Sequence, residues 1–352
     1  MYIVIAIIIF GLLIAVHELG HFLAAKASGV RVLEFSIGMG PALFKKQGRE
    51  TLYSLRILPI GGYCSMEGED EQSEDPRAFS NQAAWKKLVI LVAGAFMNFI
   101  LGLLLILLVF SQTKSFMTTT IVGFMEGCPY EGENALMTGD TFYRINGQRI
   151  YFSSDVSTYL ARGGKDTADI VVIRDGQKLK LEDFPMTLRE YEQDGEKVMK
   201  YGVYFGVREE GVGARLKYSW YCACDLVRVT WLGLEDLITG ALGVKDLSGV
   251  VGIVDVISDA GKNAETASVA FDNITYISAF IAINLAVMNM LPLPALDGGR
   301  VLFLLVNAVG WGVFKKKIDA RYEGYVHTAG LVLLMGLMVF VMYNDITRII
   351  TS

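Results

Sequence analysis

The first 25 residues, MYIVIAIIIFGLLIAVHELGHFLAA, decide the architecture. They are apolar almost throughout, and roughly 20 such residues cross a bilayer core as a helix. Three ionisable residues interrupt them: His17, Glu18 and His21. Such groups are costly inside a membrane unless they face protein or a water-filled cavity, so three in one span make little sense for an inert anchor. Their spacing makes sense for a metal site. HExxH on a helix puts two imidazoles on one face for zinc, with the Glu beside them as general base. The segment lacks a basic start and a small-residue cleavage site, and its apolar run continues into HExxH. It therefore reads as retained and not as a signal peptide.

Composition agrees. The chain has 352 residues, 53% of them hydrophobic, with a mean hydropathy of +0.41, as in an integral membrane protein. Net charge is −5 with no basic tail, so nothing recommends nucleic acid as a partner. Cys64, Cys128, Cys222 and Cys224 form no CxxC, and neither a disulfide framework nor a cysteine zinc site is expected. Only three histidines are present, and two of them are in HExxH. Any histidine metal site must use those two.

Further apolar spans are expected at Leu88–Phe110, at Ile274–Leu291 with a broken continuation through Val301–Phe314, and at Val326–Tyr343. Lys26, Arg31, Lys45, Lys46, Arg49, Arg56, Lys86 and Lys87 lie between spans one and two. Arg300, Lys315, Lys316, Lys317 and Arg321 lie between spans three and four. The positive-inside bias places both loops in the cytoplasm, and both termini and the long middle segment outside.

The loop from Phe35 to Tyr63 reads as two strands around a polar turn at Gln47–Glu50, ending in Gly61-Gly62. It is either a small peripheral sheet or a hairpin dipping into the membrane, which is tolerated only where protein or water satisfies its backbone. Residues 118–208 read as a polar, β-rich module. Hairpin dipeptides stand at Asn146-Gly147 and Asp175-Gly176, and a short helix spans Ser153–Arg162. Tyr218–Ile238 reads as an amphipathic helix on the outer surface in preference to a fifth span, because it carries Asp225, Arg228, Glu235 and Asp236. The expected divisions are 1–112, 118–208, 209–271 and 272–352.

His17 and His21, at i and i+4, share a helical face but need a third ligand. The stretch Asn289-Met-Leu-Pro-Leu-Pro-Ala-Leu-Asp297-Gly-Gly299 offers one. Pro292 and Pro294 must break the third span, which leaves Asp297 as a carboxylate at a helix break. Alone it reads as a helix cap; beside a membrane HExxH lacking a donor it reads as the missing ligand. His327 reads as an interfacial histidine bonded to backbone.

These motifs occur in order along nearly the whole chain: HELGH, FSIGMGP at Phe35–Pro41, PIGGY at Pro59–Tyr63, AGAFMNF at Ala93–Phe99, SGVVGI at Ser248–Ile253, NMLPLPALDGGR and YNDITR. Together with the module containing CPYEGENALMTGDTFYRINGQRI, they resemble the site-2 protease family of intramembrane zinc metalloproteases, in its bacterial RseP-type branch with an inserted PDZ domain. Ala95 and Val250 stand where that family often has Pro, and the PDZ-like domain is single.

The resemblance implies an α-helical polytopic membrane protein of about four transmembrane helices, with a membrane re-entrant β-hairpin and a PDZ-like extracytoplasmic domain. It implies one Zn2+ held by His17, His21 and Asp297, and Glu18 as catalytic acid/base. Asn289, Pro292 and Pro294 would hold the substrate near the metal. The hairpin, with Leu55, Ile57, Gly61 and Gly62 on its second strand, would pair with the unwound substrate. The implied substrates are single-pass proteins of the bacterial inner membrane, such as anti-sigma factors or signal-peptide remnants, cut towards the cytoplasmic side. The PDZ-like domain would bind a peptide tail or exclude large substrates. Two other readings are a metal transporter and an idle membrane scaffold. The clustering of the three donors argues against the first, and an intact Glu18 against the second.

Overall fold

The computed structural model describes residues 1–69, 73–164, 166–193, 196–209, 211–243, 247, 249–314 and 320–351. Lys315, Lys316 and Lys317 of the second basic loop, and Ser248 of SGVVGI, lie outside the described residues. The chain divides into two units, Met1–Val109 with Leu226–Ser352, and Phe110–Asp225.

In the first unit, α1 (Tyr2–Ala27), α2 (Ala84–Phe110) and α6 (Ala267–Asn289) are long and apolar enough to cross a membrane, as is most of α8 (Ala320–Thr351). They coincide with the four expected spans. Helix α6 starts at Ala267 and not at Ile274, because Thr266 Oγ1 caps it by accepting from Val269 N at 3.2 Å. The broken continuation is a separate helix, α7 (Asp297–Phe314), set off by the turn at 290–296. Outward-facing apolar side chains along α8, such as Val332 (67% exposed) and Leu333 (69%), suit a lipid solvent. A shorter helix, α5 (Val250–Lys262), packs with α1 and α6 through Ala6, Leu13, Ile257, Ile281 and Ala282. Its N-terminal amides are gathered by Asp345 of α8, whose Oδ2 accepts from Gly249 N and Gly252 N at 2.9 Å each. At its other end Tyr2 Oη donates to Gly261 O at 2.9 Å.

The expected hairpin forms as β1 (Val32–Gln47) and β2 (Leu52–Met66). It is folded over on itself. Positions 32–37 of β1 lie against 62–66 of β2 on one side, as in Val32↔Met66 and Ile37↔Gly62. On the other side they lie against 52–55, as in Glu34↔Leu52 and Ile37↔Leu55, and 42–47 flank 52–56 beyond that. The bend in β1 falls at Gly38 and Gly40, with φ of +84° and +83°. Leu55 is thus backbone-paired to Ile37 and to Phe44. Leu55, on the strand expected to pair with substrate, thus has a β1 neighbour on each side, and its side chain is 47% exposed. The hairpin base is held by a core of Ala25, Val30, Val32, Cys64, Met66 and Ile90. Further along, β2 runs beside α1. A side chain on Gly11 would collide with the Pro59 carbonyl, and one on Gly62 would come 3.4 Å from Glu18 Cγ. The seven residues from Gly11 to Glu18 rise roughly 10 Å as helix, and the three from Pro59 to Gly62 cover about the same as strand.

In the second unit, β3 (Ser115–Phe124), β4 (Thr141–Ile145), β6 (Ala168–Arg174), β7 (Gln177–Phe184) and β10 (Val203–Glu209) form a sheet in the order β10-β3-β4-β6-β7, with β5 (Gln148–Arg149) on β4. The expected hairpin dipeptides adopt left-handed conformations, Asn146 at φ 49° with Gly147 at 80°, and Asp175 at 51° with Gly176 at 78°. Helix α3 spans Ser153–Arg162 as expected, with Asp155 Oδ2 accepting from the amides of Tyr151 and Phe152 at 2.8 and 3.1 Å. Strands β8 (Arg189–Gln193) and β9 (Glu196–Lys200) pair separately. Helix α4 (Val212–Thr239) begins in this unit, where Tyr218 stacks on Phe116 at 4.5 Å. The first part of the 209–271 segment, up to Asp225, belongs to this unit, and the rest to the other.

Asp140 is a buried anchor of this unit. Its carboxylate accepts from Arg174 Nε at 2.8 Å and Nη2 at 2.7 Å, and from Met137 N at 2.8 Å. Removing one partner of such a pair costs about 3–5 kcal/mol when both are buried; Arg174 is partly exposed, so the low end applies. Asp140→Ala should lose hydrogen-exchange protection across β4 and β6 in the full chain, while protection in α2 is kept. Unchanged exchange in β4 would show the pair to be dispensable.

Candidate metal centre

Helix α1 brings His17 and His21 together by its own geometry, with ring centroids 4.8 Å apart and Nε2 atoms at 3.1 Å. His21 is oriented from outside the site, because its Nδ1 lies 2.8 Å from Ile90 O of α2. A carbonyl only accepts, so Nδ1 carries the proton and the Nε2 lone pair faces inward. Helix α2 comes this close because position 94 has no side chain. A Cβ there would collide with His21 Nε2 and lie 2.7 Å from His17 Cε1 and 2.8 Å from His17 Nε2.

The third donor comes from the far end of the chain. After α6 ends at Asn289, the turn containing Pro292 and Pro294 leads into α7, whose first residue is Asp297. Ala295 within it takes a left-handed φ of 72°. Its amide donates to His327 Nδ1 at 2.9 Å, so His327 is bonded to backbone as expected. Gly330 of α8 admits the Pro294 ring at the same place. Arg300 pairs with Glu69, joining the start of α7 to the segment that follows β2. Asp297 Oδ2 lies 3.1 Å from His17 Nε2 and 3.3 Å from His21 Nε2, and is buried without a hydrogen-bond donor of its own.

This donor set fits zinc. Ligand atoms on a tetrahedral ion with bonds of about 2.0 Å stand about 3.3 Å apart, and the three edges here are 3.1, 3.1 and 3.3 Å. It is the only group of three His, Cys, Asp or Glu donors of this kind among the described residues. Glu18 lies beside it on α1, against Gly62 of β2. None of the four cysteines is in a disulfide, and none supplies a donor to the group.

Residues 5–337 match the model of peptidase family M50. The chain belongs to peptidase family M50. Among relatives of this M50 peptidase, a Clostridium acetobutylicum protein with a provisional zinc-metalloprotease name is 36% identical over 98% of this chain and 97% of its own. The regulator of sigma-W protease RasP of Bacillus subtilis is 27% identical over 97% of both chains. The zinc metalloprotease RasP of Bacillus licheniformis is 26% identical over 97% of this chain and 98% of its own. The M50 peptidase described here is accordingly a membrane-embedded zinc metalloprotease of the site-2 type.

Of the expected site residues, the structure brings His17, Glu18, His21 and Asp297 together, with Gly62 against Glu18. Asn289 ends α6, and Pro292 and Pro294 belong to the turn that delivers Asp297. Leu55 and Ile57 are on the folded-over sheet with half-exposed side chains, and Gly61, at φ 92°, packs on Met39. The sequence reading gave no role to Gly94, Asn98 or the Ile90 carbonyl. Asn98 left a readable signal, a lone amide in an apolar span. Gly94 and Ile90 left none, because their importance is their distance from α1.

Proposed function

We propose that His17, His21 and Asp297 hold one zinc and that Glu18 moves the protons of peptide hydrolysis within the membrane. The observation that carries this is the convergence of three donors from α1 and α7 with a carboxylate one residue from the first of them. When bound, zinc acidifies water and polarises a carbonyl as a Lewis acid. Glu18 takes a proton from the attacking water and returns it to the departing amine nitrogen. Asn289, at the end of α6, is suited to donate to the substrate backbone or the developing oxyanion.

The hairpin is read as re-entrant. Pro59 meets α1 at Gly11 and Gly62 meets it at Glu18, well inside the apolar helix. Its folded-over pairing satisfies the backbone, as non-helical chain at membrane depth requires. Substrate pairing, if it follows strand addition, belongs to the Pro59–Gly62 side beside Glu18, because 52–56 are flanked on both sides. The positive-inside bias of the basic loops favours a site towards the cytoplasm and a β-rich unit outside, where its sheet and α3 support a PDZ-like role in binding a peptide tail or excluding large substrates. A single-pass membrane protein of the bacterial inner membrane, such as an anti-sigma factor, is the substrate class that best suits a relative named for regulating sigma-W. Transport is disfavoured by the confinement of the donors to one cluster.

Zinc per chain in detergent-purified protein tests the ligand set. Wild type should carry about one zinc per chain and Asp297→Ala much less, since a catalytic zinc site takes three protein donors. Full zinc in Asp297→Ala would take the third ligand away from α7.

A further inference from the structure

Asn98 lies in the apolar helix α2, is 1% exposed and has no part in the roles assigned above. Its Nδ2 stands 3.5 Å from His17 Nδ1, and its Oδ1 is buried with no hydrogen-bond partner. His17 faces Asp297 and His21 through Nε2. An imidazole that gives its Nε2 lone pair to a metal is neutral and carries its proton on Nδ1. With the amide NH2 group on that side, donor would face donor. A half-turn about χ2 exchanges the amide oxygen and nitrogen, and their placement follows from the hydrogen-bond network. That turn sets Oδ1 opposite the His17 Nδ1–H. It also completes a symmetry of support from α2, since Ile90 O does the same for His21.

We infer that Asn98 is a positioning residue for the zinc: its Oδ1 accepts from His17 Nδ1–H and fixes the tautomer and ring orientation that present Nε2 to the metal. This rests on the assignment of His17 as a ligand. Outer-shell partners of metal-binding histidines typically hold about 10–100-fold in metal affinity, and that is the size of effect expected here.

The test is zinc affinity by chelator competition on the purified full chain, together with the visible spectrum of the cobalt-substituted protein. Asn98→Leu should bind zinc about 10–100-fold more weakly and shift the cobalt bands. Asn98→Asp, which keeps an acceptor, should restore both to near wild type. If the leucine variant does not give monodisperse protein, Asn98→Ala takes its place with the same expected readings. Wild-type affinity in the acceptor-less variant would overturn the inference, as would equal weakening in Asn98→Asp, which would make the effect one of packing. A folded wild type without zinc would sink both the inference and the ligand assignment beneath it. Zinc in wild type with no response at Asn98 would sink the inference alone.

Discussion

A Glu18→Gln protein should keep its zinc and lose its peptidase activity by about 10²–10⁴-fold, the usual contribution of a positioned general base. Gln preserves the length of the side chain and its packing against Gly62 of β2. Glu18 is not among the three converging donors, so the metal has no reason to leave. The measurement is cleavage of a single-pass substrate in reconstituted vesicles beside zinc per chain. An undiminished rate would remove Glu18 from the mechanism. Loss of zinc would make it a ligand and reopen the donor set. The same variant separates a peptidase from a transporter or a scaffold, neither of which needs a proton carrier at this position.

The second large effect is expected from one methyl group. Gly94→Ala replaces the residue least suited to a helix interior by the best one, a gain of up to about 1 kcal/mol in helix formation. Yet the new Cβ would overlap the inner faces of both imidazoles, colliding with His21 Nε2 and coming 2.7 Å from His17 Cε1. The edges of the donor triangle, 3.1 to 3.3 Å, leave little room for the rings to retreat. Misplacement by about 1 Å is enough to cost roughly 100-fold in rate. Gly94→Ala should therefore show normal or raised thermal stability, zinc binding weakened by about two orders of magnitude, and cleavage reduced by at least as much. Wild-type zinc affinity in this variant would show that α2 is free to give way and that the glycine is there for another reason.

Much of this was readable from residues alone, for identifiable reasons. The four spans were legible because hydropathy over some 20 residues is a strong signal. The two hairpins of the β unit were legible because Asn-Gly and Asp-Gly state their backbone conformation. Asp297 was legible because two prolines must break a helix just before it. What escaped depended on three-dimensional distance. Phe35–Tyr63 reads as two strands with two open edges, and only the bend at Gly38 and Gly40 reveals that Leu55 is enclosed between Ile37 and Phe44. Strands β8 and β9 carry REYEQ and EKVMK, too charged to show the apolar alternation that marks a half-buried strand. AGAFMNF stood out as a motif, yet nothing in its letters says that Gly94 and Asn98 face two histidines more than seventy residues earlier. The early part of α4 joins the β unit through Tyr218 and Phe116, a pairing that periodicity along one helix does not encode.

The proposed zinc donors come from α1 and α7, with most of the chain between them. During synthesis, α1 enters the bilayer carrying His17, Glu18 and His21 long before Asp297 exists. Two imidazoles alone are an incomplete set for a zinc site, so the nascent protein is a proteolytically silent intermediate, and activity begins as one of the last acts of maturation. A membrane crowded with other half-inserted chains is thereby spared a hydrolase that has not yet acquired its own gatekeeping parts. The same separation means that two fragments, parted in the β-rich unit and produced together, would each be inert and would become a peptidase only by finding each other.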